Sequence, residues 1–451
     1  MINKSMFREY DIRGIYGTQL NEDVAYLVGR AFGTKLREQG LMSTVVGYDN
    51  RLSSVELERG MTKGLVDCGI NVKRLGLITT PMCYYASNFL NVNTSMMITA
   101  SHNPKEYNGF KFSFNGIHNA FGRDVMSLYD TIMEGKFIDG HGSIENVDIT
   151  DEYVKLITGN LNFGKKIKLV YDCGNGTGSV IVKKIFEKLP MIESIGICDE
   201  SDGTFPIHHP DPFVEENLTL LKEKVKETHA DLGVGYDGDA DRVGFVDENG
   251  NYVPIDKFLV IMWKYLINKV DKKECLFDVK CSKALYDELV KLGVKPIEYR
   301  TGNSYTRAAS AEGDYPLSAE LSGHVFFRDK FPGYDDGIYA GLRLAEMLSN
   351  TDKTLSEQLK EIVKYYSTPE IKYSTSDEKK FEIVKKMEEY AKSKNYSYIT
   401  IDGVKVKFDD GFALVRASNT GPNITSRFEA NTEERLEEIK NEFENVLKEY
   451  L

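Results

Sequence analysis

The sequence predicts an α/β protein: three related α/β domains with mixed sheets plus a smaller C-terminal α+β domain, set around a central cleft. Three observations carry this reading. First, STVVGYDNRLS, KIKLVYDCGNGTGS and ECLFDVKCSKAL each run from an apolar, β-rich stretch into an Asp and a polar turn. Second, each is followed by SVELERGMTKGLVDCG, SVIVKKIFEKL or KALYDELVKLG, with apolar residues near i, i+3 and i+4, and then by another short apolar run. These are βαβ units, and recurrence at roughly hundred-residue intervals is domain duplication, not a solenoid. Third, the end of the chain differs: a helical run DEKKFEIVKKMEEYAKSK, short strands in ITIDGVKVKFDDGFALVRAS, and a last helix TEERLEEIKNEFENVLKEYL.

A chain of 451 residues exceeds one compact core, since domains usually hold about 100–150 residues. Polar, turn-forming stretches at GHGSIENVDIT, DENGNYVP and YYSTPEIKYS place the boundaries, giving 1–147, 148–250, 251–366 and 367–451. With 41% hydrophobic and 28% charged residues, the chain can bury a sizeable interior. Its net charge of -12 argues against a nucleic-acid partner, which would call for a basic face. The six cysteines form no C-x-x-C pair and read as reduced packing residues. MINKSMFREYDIRG lacks a signal peptide's apolar stretch, and FLVIMW is far short of the ~20 residues of a membrane span, so a cytoplasmic protein with no membrane partner is expected.

In DLGVGYDGDADRVGFVDENG an apolar run ends in Asp237, Asp239 and Asp241 at alternate positions, separated by Gly238 and Ala240. Three carboxylates in so short a loop repel, and a hard, oxygen-seeking cation such as Mg2+ relieves that repulsion. An acidic surface turn is the competing reading; the preceding apolar strand and the following Arg242 favour a site. The spacing fits neither an EF-hand nor the D-x-D-x-[TV] loop of Asp-nucleophile phosphotransferases.

In TASHNPKEYNGFKF, Ser101 stands where the strand TSMMIT gives way to a loop, the position from which α/β enzymes present chemistry. A helix cap is the alternative, but Asn108-Gly109 and the aromatic alternation after it read as a turn and strand. That turn brings Lys111 near Ser101, against the plain reading of a surface lysine. PLSAELSGHVFF puts Glu320, Ser322 and His324 at i, i+2 and i+4, on one side if extended, a pattern suited to sugar hydroxyls. RASNTGPNITSRFEA gathers Arg416, Ser418, Asn419, Thr420 and Arg427 into a phosphate cradle of guanidiniums, hydroxyls and backbone N–H groups. Two decoys stand aside. CGNGTGS has Ser179 where a dinucleotide loop wants Gly, and His208-His209 lacks a second ligand pair at metal spacing, so it reads as a loop.

Taken together, FREYDIRG, TASHNP with YNGFK, DGDADR, DVKCS, ELSGHVFF with GYDDGIY, and RASNTGPNITSRFEA resemble the α-D-phosphohexomutase superfamily, nearest its phosphomannomutase/phosphoglucomutase group, over nearly the whole chain. The resemblance implies a phosphoserine at Ser101 and Mg2+ held by that phosphoryl group with Asp237, Asp239 and Asp241. It implies Lys111 as general acid/base, with His102, Arg242 and His324 assisting. Glu320 and Ser322 would bind the sugar, Tyr10, Arg13 and Lys280 would line the cleft, and Arg416, Ser418, Asn419, Thr420 and Arg427 would grip the distal phosphate. The implied reaction moves phosphate between C1 and C6 of mannose or glucose through a hexose 1,6-bisphosphate, which also serves as activator. Small sugar phosphates are the implied partners, and the protein is taken as a monomer, with a dimer open. One departure is Asn303 in RTGNSYTR, where relatives often have histidine. Phosphoglucosamine mutase, a metal-dependent serine phosphatase and a silent sugar-phosphate sensor are the competing functions.

Overall fold

The computed structural model describes residues 2–116, 118–419 and 421–451. Among the described residues, four sheets and fourteen α-helices build a four-domain α/β fold with mixed sheets. The chain divides into two compact units, Met1–Val253 with Ser322–Ser356, and Pro254–Leu321 with Glu357–Leu451.

In the first unit, strands β1 (Ile12–Ile15), β2 (Ser43–Tyr48), β3 (Asn71–Leu77), β4 (Ser95–Ile98), β5 (Tyr107–Ser113) and β6 (Ile144–Asn146) lie in the order β1-β5-β4-β2-β3-β6. The βαβ unit read from the sequence is β2, helix Ser54–Val66 and β3, parallel as expected. β4 is also parallel to β2, whereas β5 runs antiparallel to both β4 and β1. Ile12, Phe32, Val46, Leu57, Met61, Phe110 and Phe112 form its core.

Asn108 and Gly109 do not make the expected turn: they lie inside β5, opposite Gly14 and Arg13 of β1. A side chain on Gly109 would come within 2.2 Å of the Ile12 carbonyl, so this glycine permits a close strand approach. Asn108 spends its amide on Ser53 and Ser54 instead of a turn. Strand pairing has overridden local turn chemistry.

The second sheet repeats the plan. β7 (Ile167–Asp172), β8 (Ile192–Ile197), β9 (Leu232–Tyr236), β10 (Val243–Asp247) and β11 (Tyr252–Val253) lie in the order β11-β10-β9-β7-β8, with β7 parallel to β8 and β9, and β10 antiparallel to β9. In both sheets a buried strand, β4 or β9, ends at the residues singled out for chemistry.

In the second unit, β12 (Glu274–Asp278) is parallel to both β13 (Lys295–Tyr299) and β14 (Leu317–Ala319), completing the third βαβ repeat through helix Lys283–Lys291. The C-terminal part is an antiparallel sheet including Val404–Phe408, Gly411–Ala417 and Asn423–Ala430. Helices Lys379–Ser393 and Glu433–Lys448 cover it, and Ile383, Met387, Val406, Phe428, Ile439 and Phe443 share one core. No helix among the described residues is long and apolar enough to cross a membrane.

Candidate active site

β4 delivers Ser101. Met96, Met97 and Ile98 are buried, and each such side chain contributes about 1.5–3 kcal/mol, enough to hold a strained residue just beyond the strand. That strain is present: Ser101 has φ +52, a left-handed conformation costing a non-glycine residue about 1–3 kcal/mol. No helix begins there, so Ser101 is not a cap. Its Oγ donates to Asp237 Oδ2 at 2.7 Å and lies 3.3 Å from His102 Nδ1.

β9 delivers the acidic loop. Gly238 has no room for a side chain, because a Cβ would lie 2.6 Å from the Ser101 carbonyl, and Ala240 takes φ +62. This tight loop directs Asp237, Asp239 and Asp241 inward, all three fully buried, with one oxygen from each within 4.8 Å of the others. Asp239 Oδ1 and Asp241 Oδ1 are buried without a hydrogen bond. Hard oxygen donors, mutual repulsion and orphaned acceptors fit a divalent cation.

Lys111, facing Met97 across the β4–β5 pair, donates to Asp239 Oδ2 at 2.8 Å and Asp241 Oδ2 at 2.6 Å. Burial alone would lower its pKa, but the two carboxylates outweigh burial and hold the amine well above its ordinary value. Asp237 moves up through burial and the charges of Asp239 and Asp241; Asp239, despite burial, is held low by Lys111. His102 is pushed well below its ordinary value by burial and by Arg242, Arg13, His324 and Lys111, so its imidazole is neutral. Arg242 Nε donates to His324 Nε2 at 2.9 Å, which leaves the His324 proton on Nδ1, 2.7 Å from Asp335 Oδ2. Arg13 ties its guanidinium to Asp11, Ala100 and Asn103, and Tyr10 is half-buried just before β1.

The stretch from Glu320 to His324 is not extended. Leu321 and Ser322 form a turn and Gly323 takes φ +103, so two-residue alternation does not set these side chains on one face. Glu320 belongs to the second unit, Ser322 and His324 to the first. Glu320 accepts from Gly302 N at 2.6 Å and Thr306 Oγ1 at 2.7 Å, where helix Asn303–Glu312 begins. Asn303 is the first residue of that helix.

Also in the second unit, Lys280 is buried, 3.6 Å from Glu370 and 3.7 Å from Asp278; burial lowers its pKa, but these acids raise it further. Arg416 bonds Asp402 Oδ2 through Nε and Nη2, both at 2.9 Å. Arg427 Nη1 donates to the Lys280 carbonyl at 2.6 Å, and Ser418 N to the Asn423 carbonyl at 2.8 Å. Asn419 is half-buried, and Thr420 lies outside the described residues.

Four family models match in chain order: the phosphoglucomutase/phosphomannomutase α/β/α domains I (4–134), II (151–250) and III (254–366), and the C-terminal domain (370–446). The chain belongs to the phosphoglucomutase/phosphomannomutase family. A phosphomannomutase/phosphoglucomutase of Pseudomonas aeruginosa is 40% identical over 444 residues, spanning 98% of this chain and 96% of its own. A phosphoglucomutase of Neisseria gonorrhoeae is 38% identical over 452 residues, 99% of this chain and 97% of its own. A crystal structure of a phosphoglucomutase/phosphomannomutase family protein from Burkholderia thailandensis superposes with TM-score 0.93 at 36% identity, covering 100% of this chain and 98% of that one. This family member is an isomerase of hexose phosphates.

Three supporting residues escaped the sequence reading. Arg51, buried after β2, spends its guanidinium on Asp49 and on the carbonyls of Ser101, Asn103, Pro104 and Tyr107, clamping the serine loop. Thr80 Oγ1 donates to Asp239 Oδ2 at 2.6 Å across 159 positions of sequence, a separation no local pattern betrays. Asp335, within the quoted GYDDGIY, backs His324. For Arg51 the signal was in view: an Asp-Asn-Arg run closing a buried strand.

Proposed function

We propose that this chain interconverts the 1- and 6-phosphates of mannose and glucose through a phosphoserine at Ser101 and a hexose 1,6-bisphosphate, acting as a cytoplasmic monomer. The observation that carries the reading is Ser101 Oγ at 2.7 Å from Asp237, in one buried cluster with Lys111 on Asp239 and Asp241. Asp237, Asp239 and Asp241 would hold Mg2+, which when bound offsets the charge of the transferring phosphoryl group.

The phosphoryl group passes from Ser101 Oγ to a sugar hydroxyl: the Oγ–P bond breaks as the sugar O–P bond forms, and the hydroxyl proton ends on Ser101 Oγ. That proton is given up again, restoring Lys111, when phosphate returns to the serine. The bisphosphate turns over, and the other phosphate returns to Ser101. Lys111, kept charged by its two carboxylates, is the acid that can protonate the sugar oxygen released on return. Neutral His102 and the Arg13–Asn103 contact steady the serine loop, and Arg242 supplies fixed positive charge, with His324 beside it. Glu320 and Ser322 are assigned to sugar hydroxyls, Tyr10 and Lys280 to the lining, and Arg416, Ser418, Asn419, Thr420 and Arg427 to the distal phosphate.

A coupled assay with mannose 1-phosphate and glucose 1-phosphate, primed with glucose 1,6-bisphosphate and Mg2+, tests this. Turnover that stops with a chelator and returns with Mg2+ is expected. Silence on both sugars, or free phosphate with no isomerised product, overturns it.

A further inference from the structure

We propose that Asp172, Cys198 and His208 form a second metal site in the first unit, one that takes a zinc-class cation and is separate from the catalytic aspartates. Each offers one ligand atom, and the three atoms lie within 4.8 Å of one another. Thiolate, imidazole and carboxylate make a sulfur, nitrogen and oxygen set, which suits a borderline-soft ion such as Zn2+ and is foreign to Mg2+.

The topology builds the cluster. β7 and β8 are parallel neighbours with Asp172 opposite Ile197, so Asp172 and Cys198 stand side by side where the strands end. The loop after β8 returns His208 to them. The partners therefore come from neighbouring strand ends, which no sequence spacing around the two histidines could reveal. Asp172 is fixed, its Oδ1 accepting from Gly174 N at 2.8 Å. Cys198 takes φ +46 and is the half-buried member of six free cysteines, the other five being buried.

His208 supplies the most telling geometry. Its Nδ1 lies 3.0 Å from the His209 carbonyl oxygen, which can only accept, so Nδ1 carries a proton. Its Nε2 then faces both Asp172 oxygens, at 3.0 and 3.2 Å. With no cation that nitrogen must bear a second proton; with one, its lone pair is aimed at the ion, and a ligating histidine is commonly steered by a backbone carbonyl on its other nitrogen. Loading releases the Nε2 proton and the thiol proton to solvent. A divalent ion then meets one carboxylate and one thiolate, so the cluster is neutral before and after.

The segment that follows Asp172 also reaches the aspartate loop. Thr177, in the turn after Asp172, donates through N and Oγ1 to the Gly238 carbonyl at 2.9 and 3.0 Å, and Gly238 sits between Asp237 and Asp239.

Co2+ is the probe, added to metal-stripped, full-length protein in excess Mg2+ so that the aspartate loop is occupied. One equivalent should bind with a thiolate-to-cobalt charge-transfer band and tetrahedral visible bands. Cys198→Ser should abolish the charge-transfer band, His208→Gln should weaken binding by at least about tenfold, and Asp239→Asn should leave the band in place. Circular dichroism and melting in chelator check folding; if Cys198→Ser is misfolded, His208→Gln decides alone. A wild-type spectrum without the charge-transfer band, or a band that survives both ligand substitutions, overturns the proposal.

Discussion

In the first compact unit Asp237, Asp239 and Asp241 crowd against Lys111 and Arg242, and two of their buried oxygens accept no hydrogen bond. In the second unit the cations gather: Lys280, Arg416 and Arg427, with Asp402 on Arg416 and Glu370 and Asp278 near Lys280. The acid cluster keeps two buried carboxylate oxygens, Asp239 Oδ1 and Asp241 Oδ1, that no hydrogen bond satisfies, which fits a cation. The basic cluster is already tethered by acids, which hold its donors in place without a ligand. Under the proposed function, preorganisation takes two forms: a deficit that a metal would fill, and a set of cations held for an anion.

The sharpest way to break this contrast is at Ser101, which donates to Asp237 of the acid cluster. Ser101→Ala should lower mutase turnover on the order of 10^3-fold or more while the protein still folds. Ser101→Gly should be equally inactive yet melt higher than Ser101→Ala, because glycine accepts φ +52 and alanine pays about 1 kcal/mol there. Turnover by either variant would remove Ser101 from the mechanism.

Asp239→Asn tests the deficit itself. It removes one orphaned acceptor and one of the two carboxylates that hold Lys111, so turnover should fall about 10^2-fold and more Mg2+ should be needed for half-maximal rate. An unchanged Mg2+ requirement would take Asp239 out of the metal set.

These two regions also differ in how legible they were. The three βαβ repeats, Ser101 and the aspartate loop show in the sequence because strand patterns are local and three acids within five positions have few innocuous uses. Turn chemistry misled at Asn108-Gly109, where close approach of Ile12 decides the backbone, and alternation misled at Glu320–His324, where Gly323 turns the chain. Thr80, Asp402 and Asp172 act on residues far along the chain or on neighbouring strands, and only the folded arrangement brings them to their partners.

In the second unit, Arg416→Lys keeps the charge but loses the planar fork that grips Asp402. KM for the sugar phosphate should rise roughly tenfold, with a smaller effect on kcat. Equal kinetics from lysine would mean that only charge, and no bidentate geometry, is used there.

The smallest effect is expected at Asp336, a buried acid of the first unit that lies outside the cation balance. It accepts from Tyr153 Oη at 2.6 Å and caps helix Gly337–Ser349 through Tyr339 N at 2.9 Å. Burial lifts its pKa to about 7, against the opposing pull of those hydrogen bonds and with help from Asp335. The folded protein thus holds this proton more tightly than the unfolded chain does. The stability it contributes is complete below the ordinary aspartate range and is lost as pH rises through about 7. Asp336→Asn keeps the acceptor for Tyr339 and removes the titration. Compared with the wild type, the variant should gain melting temperature by a few degrees between acid and mildly alkaline pH. Parallel melting profiles for the two proteins would mean that Asp336 is already ionised in the fold, and that the first unit tolerates one more buried negative charge than its geometry implies.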